Sequence, residues 1–433
     1  MISRATRREF LKQTALAGVG LWITGTSPAL GRTFSANEKL NIGIIGVNNR
    51  GRSNTDGVAG ENIVALCDVD ENYLGAAGAR FPKAATYRDW RNLLEQKDVD
   101  AVVISTADQL HALAGVMAMK LGRHVYVEKP LAHSVHEARV MRETYLQAKV
   151  ATQMGTQIHA GDNYRRVVEL IQCGAIGPVR EAHVWCDRVG PGGERPTNAE
   201  PVPEHLDWDL WLGPAPWRDY SPSYVPGNLT WNPYWDFGNG TLGDMGSHLI
   251  DLPFWALDLR QPTSVEAEGT PLSTETNPRW LIAHWEHPPR GKHPAVKLTW
   301  YDGRKRPKSP EGIDLGGWGI GVIFIGDRGT LVADYGRHVL LPEADFKDFK
   351  RPEPTIPRSL GHYQEWIHAC KTGAPTLCNF DYSGMLIEHN LLANVAYRVG
   401  SKIRWDDKNL KAVNCPQADQ YIRREYRKGW TIG

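Results

Sequence analysis

The sequence predicts an α/β protein: an N-terminal doubly wound parallel sheet, then an α+β domain with an open, mostly antiparallel sheet. Three observations carry this. Short β-branched runs alternate with amphipathic helical segments over roughly the first 150 residues, the pattern of a parallel sheet covered by helices. The first run ends in a glycine-containing turn that leads straight into a helix. Further on, the runs alternate apolar with polar residues, as strands with one solvated face do. A chain of 433 residues is long enough for two or three such cores.

Before the first strand, Thr6-Arg7-Arg8-Glu9-Phe10-Leu11-Lys12 precedes a weakly apolar stretch from Thr14 to Thr26. Glycines interrupt that stretch, and it is too short to span a membrane. Two adjacent arginines ahead of such a segment have the pattern of a twin-arginine export signal, with cleavage expected between Ala29 and Ala36. The alternative is a basic disordered tail. The export reading implies a periplasmic protein without a membrane anchor, carried out already folded. The expected divisions are therefore a signal and linker over 1–36, a nucleotide-binding domain over 37–158 and a substrate and oligomerisation domain over 159–433.

The first strand is Lys39 to Gly46 (KLNIGIIG), and Val47-Asn48-Asn49-Arg50-Gly51 turns into a helix. The phosphate-binding pattern G-x-G-x-x-G is present here with Asn48 in place of the middle glycine. Asparagine tolerates a left-handed backbone better than most side chains, so the turn is expected to survive at Asn48. A second strand, Asn62 to Cys67, ends at Asp68, 22 positions after Gly46. A carboxylate there can accept from ribose hydroxyls and repel a 2′-phosphate, which favours NAD over NADP. The bland reading of Asp68 is a strand-end turn residue. Strands from Val99 to Thr106 and His124 to Val127 follow, separated by the amphipathic segment Gln109 to Leu121. Right-handed crossovers put all these strand ends on one edge, where ligands bind.

The last of these strands runs into Glu128-Lys129-Pro130. An ammonium at the ligand edge can polarise a reacting hydroxyl or carbonyl, with Pro130 fixing the turn that aims it. Far downstream, Gly243-Asp244-Met245-Gly246-Ser247-His248-Leu249-Ile250-Asp251 sits in a stretch, Thr241 to Leu257, with no proline before Pro253. If helical, it places Asp244, His248 and Asp251 on one face. Two carboxylates there can fix the imidazole tautomer and raise its basicity. A divalent metal site and a purely structural polar face are the alternatives. No further His or Cys cluster completes a metal site, and none is expected.

From about Ala160 the character changes. Asp162 to Cys173 reads as an amphipathic helix and Pro178 to Arg188 as a strand. Runs at Ser264–Glu268, Trp280–Trp285, Val296–Tyr301, Gly321–Ile325 and Thr330–Ala333 read as further strands, and Tyr363–Lys371 and Ser383–Val399 as closing helices. Between them lies a long irregular stretch rich in rings: Trp208, Trp211, Trp217, Tyr220, Tyr224, Trp231, Tyr234, Trp235 and Phe237. Such a loop is expected to pack its own small core or a subunit contact, or to offer faces on which sugars stack. The net charge of +1, from 50 basic and 49 acidic residues, gives no argument for a nucleic-acid partner. Six cysteines show no zinc or redox spacing.

Glu128-Lys129-Pro130 after a Rossmann half, together with Asp244 and His248, resembles the Gfo/Idh/MocA family of oxidoreductases, which includes glucose-fructose oxidoreductase and inositol dehydrogenases. Ser105-Thr106-Ala107-Asp108-Gln109-Leu110-His111 and Gly155-Thr156-Gln157 extend the resemblance, which runs from about Lys39 to Trp405. Ala107 stands where the family motif usually has proline. The resemblance implies NAD as cofactor, held by Gly46, Asn48, Arg50, Gly51, Asp68, Thr106, His111, Glu128 and Lys129. It implies His248 as acid/base, Lys129 orienting the substrate hydroxyl, and Asp244 holding substrate or His248. Gln157, Tyr164 and Arg165, with His159 nearby, are candidate substrate contacts just after a fifth strand, expected to end before Gly155. The implied partner is a carbohydrate or polyol, and the implied assembly a homo-oligomer, dimer or tetramer. Three functions remain open: an NAD-dependent dehydrogenase with tightly bound cofactor, a redox-neutral NAD-dependent glycosidase or lyase working through a transient keto-sugar, and a non-catalytic sugar-binding protein.

Overall fold

The computed structural model describes residues 38–190, 192–227 and 229–433, so the expected export signal lies outside the described residues. Strand β1 (Asn41–Ile45) leads through a turn to helix α1 (Arg50–Val58). The alternation continues with β2 (Asn62–Cys67), α2 (Glu71–Arg80), β3 (Ala85–Tyr87), α3 (Trp90–Leu94), β4 (Ala101–Ile104), α4 (Asp108–Lys120), β5 (His124–Val127), α5 (Val135–Ala148) and β6 (Thr152–Met154). The sheet order is β3-β2-β1-β4-β5-β6 and every neighbouring pair is parallel. The order reverses between β1 and β4, which places the switch-point crevice beside Gly46 and Ser105.

Side chains alternate between two apolar layers, as a sheet covered on both faces requires. Ile42, Ile44, Val103 and Tyr126 pack on one side; Ile45, Val102, Ile104, Val125 and Val127 pack on the other. The three-residue edge strand β3 is absent from the sequence reading. It is too short, and too exposed, to show an apolar pattern.

The second half opens with α6 (Asp162–Gln172) and β7 (Val179–Cys186), then the short helices α7 (Trp208–Leu212), α8 (Gly240–Leu249) and α9 (Asp251–Ala256). Strands β8 (Ser264–Gly269), β9 (Leu281–His287), β10 (Val296–Tyr301), β11 (Ile320–Gly326), β12 (Gly329–Ala333) and β13 (His338–Leu341) follow, with helices α10 (His362–Thr372) and α11 (Phe380–Val399), strands β14 (Ile403–Asp406) and β15 (Lys411–Ala412), and α12 (Asp419–Ile422). They build a nine-stranded sheet in the order β13-β12-β11-β7-β10-β9-β8-β14-β15. Only the β7–β10 pair is parallel.

The expected single helix from Thr241 to Leu257 is instead two, α8 and α9, meeting at Ile250. Pro253 has no N–H to give the carbonyl four residues earlier, so the ladder is interrupted there. The chain also returns to the first domain late: Trp366, Ile367 and Cys370 of α10 are buried in the same apolar layer as Ile42 and Ile44.

Candidate active site at the switch point

A cleft opens along the C-terminal edge of the parallel sheet, lined by Gly46, Asn48, Arg50, Asp68, Thr106 and Lys129 among others. Two glycines fix its floor. Gly46 has φ +84°, and a Cβ on it would lie 2.5 Å from the Ser105 carbonyl oxygen. A Cβ on Gly51 would lie 1.9 Å from the Gly46 carbonyl oxygen, so α1 starts in direct contact with the end of β1. The left-handed residue is Asn49 (φ 48°) rather than Asn48, which corrects the expectation for this turn. Asn49 precedes α1 without capping it, and no acidic side chain occupies the first helical turn. The Gly51 N–H already donates to the Asn48 carbonyl at 2.8 Å, so the helix offers the cleft its remaining first-turn amides and the positive end of its dipole, as a pyrophosphate requires.

At the other end of the cleft, Asp68 accepts from the Val47 amide at 2.9 Å and the Asp70 amide at 3.1 Å. Burial pushes its carboxyl up to about 6, against the pull of those amides, so it is ionised at neutral pH. Arg88 also lines this end, but pairs with Glu71 at 2.9 Å. A glycine floor, a helix start without a side-chain cap and a carboxylate at the end of β2 fit an NAD molecule.

Lys129, which also lines the cleft, lies two residues after the end of β5, and its bond to Pro130 is cis. Its ammonium pairs with Asp244 of α8, whose second oxygen takes Arg188. Burial raises the Asp244 carboxyl, but Lys129 and Arg188 outweigh it and hold it below its ordinary range. One helical turn on, His248 Nδ1 lies 3.0 Å from the Thr156 hydroxyl, which itself donates to the Ser247 carbonyl at 2.9 Å. Since Thr156 has spent its only proton, it must accept from Nδ1–H, and the lone pair falls on Nε2. Burial, then the charge of Lys129, lowers the His248 pKa to about 4. The arrangement can take a proton at Nε2 of a neutral imidazole next to a fixed ammonium.

The three residues expected on one face thus diverge in function. Asp244 serves Lys129 and Arg188, and Asp251 binds His159 at 2.9 Å and the Tyr382 hydroxyl at 2.7 Å. Neither carboxylate sets the His248 tautomer; Thr156 does. Among the described residues no group of three or more His, Cys, Asp or Glu side chains is placed to hold a metal ion.

Glu128 is the buried hub behind the site. It accepts from Arg50 at 2.9 Å, Asn54 at 3.0 Å, Gln157 at 3.1 Å and the Tyr126 hydroxyl at 3.3 Å. Burial raises its carboxyl, and Arg50 and Lys129 bring it back below the usual value. Gly155 must be glycine here, because a Cβ would sit 2.7 Å from that carboxylate. Gln157 is therefore committed to Glu128 and Tyr126.

Other expected contacts are turned inward. His111 is buried with its ring nitrogens 2.7 Å from the Pro130 carbonyl and 3.0 Å from the Thr106 carbonyl, tying together the loops after β4 and β5 instead of facing the cleft. Tyr164 is fully buried and donates to the His248 carbonyl at 3.1 Å. Arg165 is buried, held by Glu365 at 2.5 Å and by the Pro357 carbonyl. Neither Tyr164 nor Arg165 is free to meet a substrate: Tyr164 ties α6 to α8, and Arg165 ties α6 to the 357–365 segment. His159 stacks on Trp255 with centroids 4.0 Å apart. The sequence reading missed Arg188 and the role of Thr156. Arg188 ends a strand that was legible, but nothing local shows its partner 56 positions away.

The aromatic stretch packs a core of its own from Trp208, Trp211, Leu212, Tyr220, Tyr224 and Phe237, with Trp208 and Trp211 stacked at 4.7 Å. It forms the outer wall of the dinucleotide cleft through Leu206, Trp211, Tyr220 and Trp231. Its fastenings run to the first domain: Glu71 N to His205 O and Asp207 N to Val69 O, both 2.9 Å, and Gln109 Nε2 to Trp211 O, 3.1 Å.

This sheet, its crevice and the cleft's fit define an NAD-binding Rossmann oxidoreductase domain. Comparison with known families agrees. Residues 40–156 match the model of the oxidoreductase family's NAD-binding Rossmann fold, and residues 184–286 match that of the family's C-terminal alpha/beta domain. Together these span just over half of the chain, which belongs to the Gfo/Idh/MocA family. A Glycosyl hydrolase family 109 protein of Solibacter usitatus is 33% identical over 202 residues, covering 41% of this chain and 44% of that protein. An inositol 2-dehydrogenase of Salmonella paratyphi B is 30% identical over 169 residues, covering 38% of this chain and 47% of that one. The match thus spans less than half the length of these curated relatives. Among solved structures, the WlbA dehydrogenase of Bordetella pertussis in complex with NADH and UDP-GlcNAcA shares the fold at TM-score 0.60 and 18% identity, covering 85% of this chain and 99% of that one.

Proposed function

We propose that this chain is an NAD-dependent oxidoreductase acting on a carbohydrate or polyol, moving hydride between a carbinol carbon and nicotinamide, with the dinucleotide tightly held. The observation that carries the proposal is the free Nε2 of His248 near the Lys129–Asp244 pair, of which Lys129 lines the cleft. When bound, NAD supplies the hydride acceptor. His248 takes the hydroxyl proton, Lys129 orients that hydroxyl and stabilises the developing alkoxide, and Asp244 with Arg188 keeps Lys129 in place. The test is a panel of polyols and sugars with the purified protein, following nicotinamide absorbance of bound and added cofactor. Failure of every hydroxyl compound to reduce it would end the proposal.

A second reading, the redox-neutral glycosidase or lyase, is favoured by the relatives named Glycosyl hydrolase family 109 protein, at 33% and 31% identity. We further place the protein in the periplasm, on the twin-arginine pattern. We expect a homo-oligomer that uses the outer face of the nine-stranded sheet, where Ile325 is 39% exposed. Cell fractionation and light scattering test these two points.

Two expected results bear on the assignments. Asp68→Ala should relax the preference for NAD over NADP by roughly tenfold, since the repelling carboxylate is gone. A wild type that already prefers NADP would show the role of Asp68 to be misread. The second concerns pH. A base must be deprotonated to act, and His248 sits at about 4 against an ordinary 6.5. The acid limb of kcat/KM is therefore expected near pH 4, not near 6.5. Because Lys129 is the second cause of that shift, Lys129→Met should move the His248 titration upward when followed by NMR.

A further inference from the structure

Separate from the dinucleotide cleft, with no lining residue in common, a cavity of about 740 Å³ lies between the start of α5, the end of α11 and the C-terminal segment. Its wall carries Arg398, Arg423 and Arg424 with His133, Trp235 and Tyr421. Arg423 is paired with Asp419. Arg424 has only the more distant carboxylate of Glu137, and Arg398 has none within 4.0 Å among the described residues.

Arg398 lies between two rings, 4.0 Å from the Tyr421 centroid and 4.7 Å from the Trp235 centroid. Among the described residues it makes no hydrogen bond and has no carboxylate within 4.0 Å. Burial lowers its pKa to about 10, with Tyr421 and Asp236 opposing the shift. Stacking and a helix C-terminus explain where this guanidinium lies, but they leave its N–H donors without acceptors. Arg424 is similar. Its side chain is 13% exposed, with Glu137 at 3.8 Å. One terminal nitrogen lies 2.6 Å from His133 Nδ1, and the other is buried with no partner. Burial and then both arginines depress the His133 pKa, so the imidazole is neutral and adds no charge of its own.

Three carboxylates also line the cavity. Asp236 is taken by Arg195 at 2.6 Å and Arg218 at 2.8 Å, Asp419 by Arg423, and Glu425 is exposed. None satisfies Arg398 or the buried Arg424 nitrogen. Two half-buried guanidinium groups that face one cavity with donors unpaired to any described residue are a binding arrangement for an oxyanion.

We propose that this cavity is a second ligand site, taking the phosphate, sulfate or carboxylate group of a small molecule between Arg398 and Arg424. It is distinct from the dinucleotide cleft, though close to it. His133 follows Lys129 by four residues, and Asn239, which lines the cavity, donates to Asp108 of the cleft at 3.3 Å.

The test uses full-length protein already loaded with NAD, so that the pyrophosphate site is filled. Inorganic phosphate, sulfate and acetate are titrated separately at constant ionic strength, by calorimetry and by tryptophan emission, since Trp235 lies against Arg398. The expected result is saturable one-to-one binding of at least one of these anions with a change in emission. The arms distinguish a tetrahedral oxyanion from a carboxylate. Arg398→Gln with Arg424→Gln should weaken binding at least tenfold while NAD content and melting temperature stay as in the wild type. If that double variant does not fold, Arg398→Lys, which keeps charge but loses the planar fork, should still weaken binding at least threefold. Absence of saturable binding by any of the three anions, or equal binding by the wild type and the variants, would overturn the proposal.

Discussion

Replacing Lys129 or His248 by alanine is expected to lower turnover by roughly a hundredfold or more, about 2.7 kcal/mol of barrier, while the fold and NAD content stay intact. The geometry gives each residue a different share. His248 has one free ring nitrogen, because Thr156 holds the other. Its loss removes the positioned imidazole base beside Lys129, so kcat should fall more than KM rises. Lys129 fixes a positive charge whose partner, Asp244, is buried. Lys129→Ala leaves that carboxylate paired with Arg188 alone, and the effect should appear in both kcat and KM. The two residues act on the same hydroxyl, so the double variant should cost far less than the product of the single losses. Arg188 is half-exposed at 46% and should matter less. Thr156→Val keeps the shape but frees the imidazole tautomer, and loss of rate with unchanged melting would identify it as a positioning residue. Near-normal rates in both Lys129→Ala and His248→Ala would remove the assignment altogether.

The sequence made the fold legible wherever a run had to be apolar on both faces. Strands β1, β2, β4 and β5 could be read for that reason, and so could α6 and α11, whose buried faces are long. The elements it hid are short or peripheral: β3, β13, β14 and β15 bury too little to leave a pattern. In the site, motif residues Lys129, Asp244 and His248 were legible as a group because their spacing and position at strand and helix ends are local properties. Their partners were not. Arg188 reaches Asp244 from just after β7, 56 positions earlier in the chain, and Thr156 reaches His248 from just after β6. Tyr164 and Arg165 misled for the same reason: a position just after a strand end says nothing about which way a side chain turns. In both cases the neighbouring helix and the 357–365 segment supplied acceptors that local sequence does not reveal.

The largest functional contrast is expected from protein purified without any added nucleotide. Such protein should contain NAD(H) and turn over a glycoside with no net NADH. An enzyme exported by the twin-arginine route would work where free NAD is scarce and where no soluble partner re-oxidises NADH. If it released its cofactor after each turnover, it would stop after one. The aromatic wall from Leu206 to Trp231 is fastened to Val69, Glu71 and Gln109 beside the cleft, which supports a slowly exchanging dinucleotide. A substrate cycle that returns the hydride completes the argument. A sugar oxidised at one carbinol carbon has an acidified C–H next to it. Loss of that proton expels the leaving group by elimination, water adds, and the carbonyl is reduced again at the carbon where oxidation began. Electrons balance with no external acceptor, and the exchanged C–H records the path. Denaturing the preparation and quantifying released dinucleotide tests retention. Running glycosides in D2O should place deuterium at the carbon adjacent to the oxidised one. An empty apo-protein that works only with stoichiometric added NAD, giving one NADH per substrate and no deuterium, would defeat this cycle and leave the plain dehydrogenase.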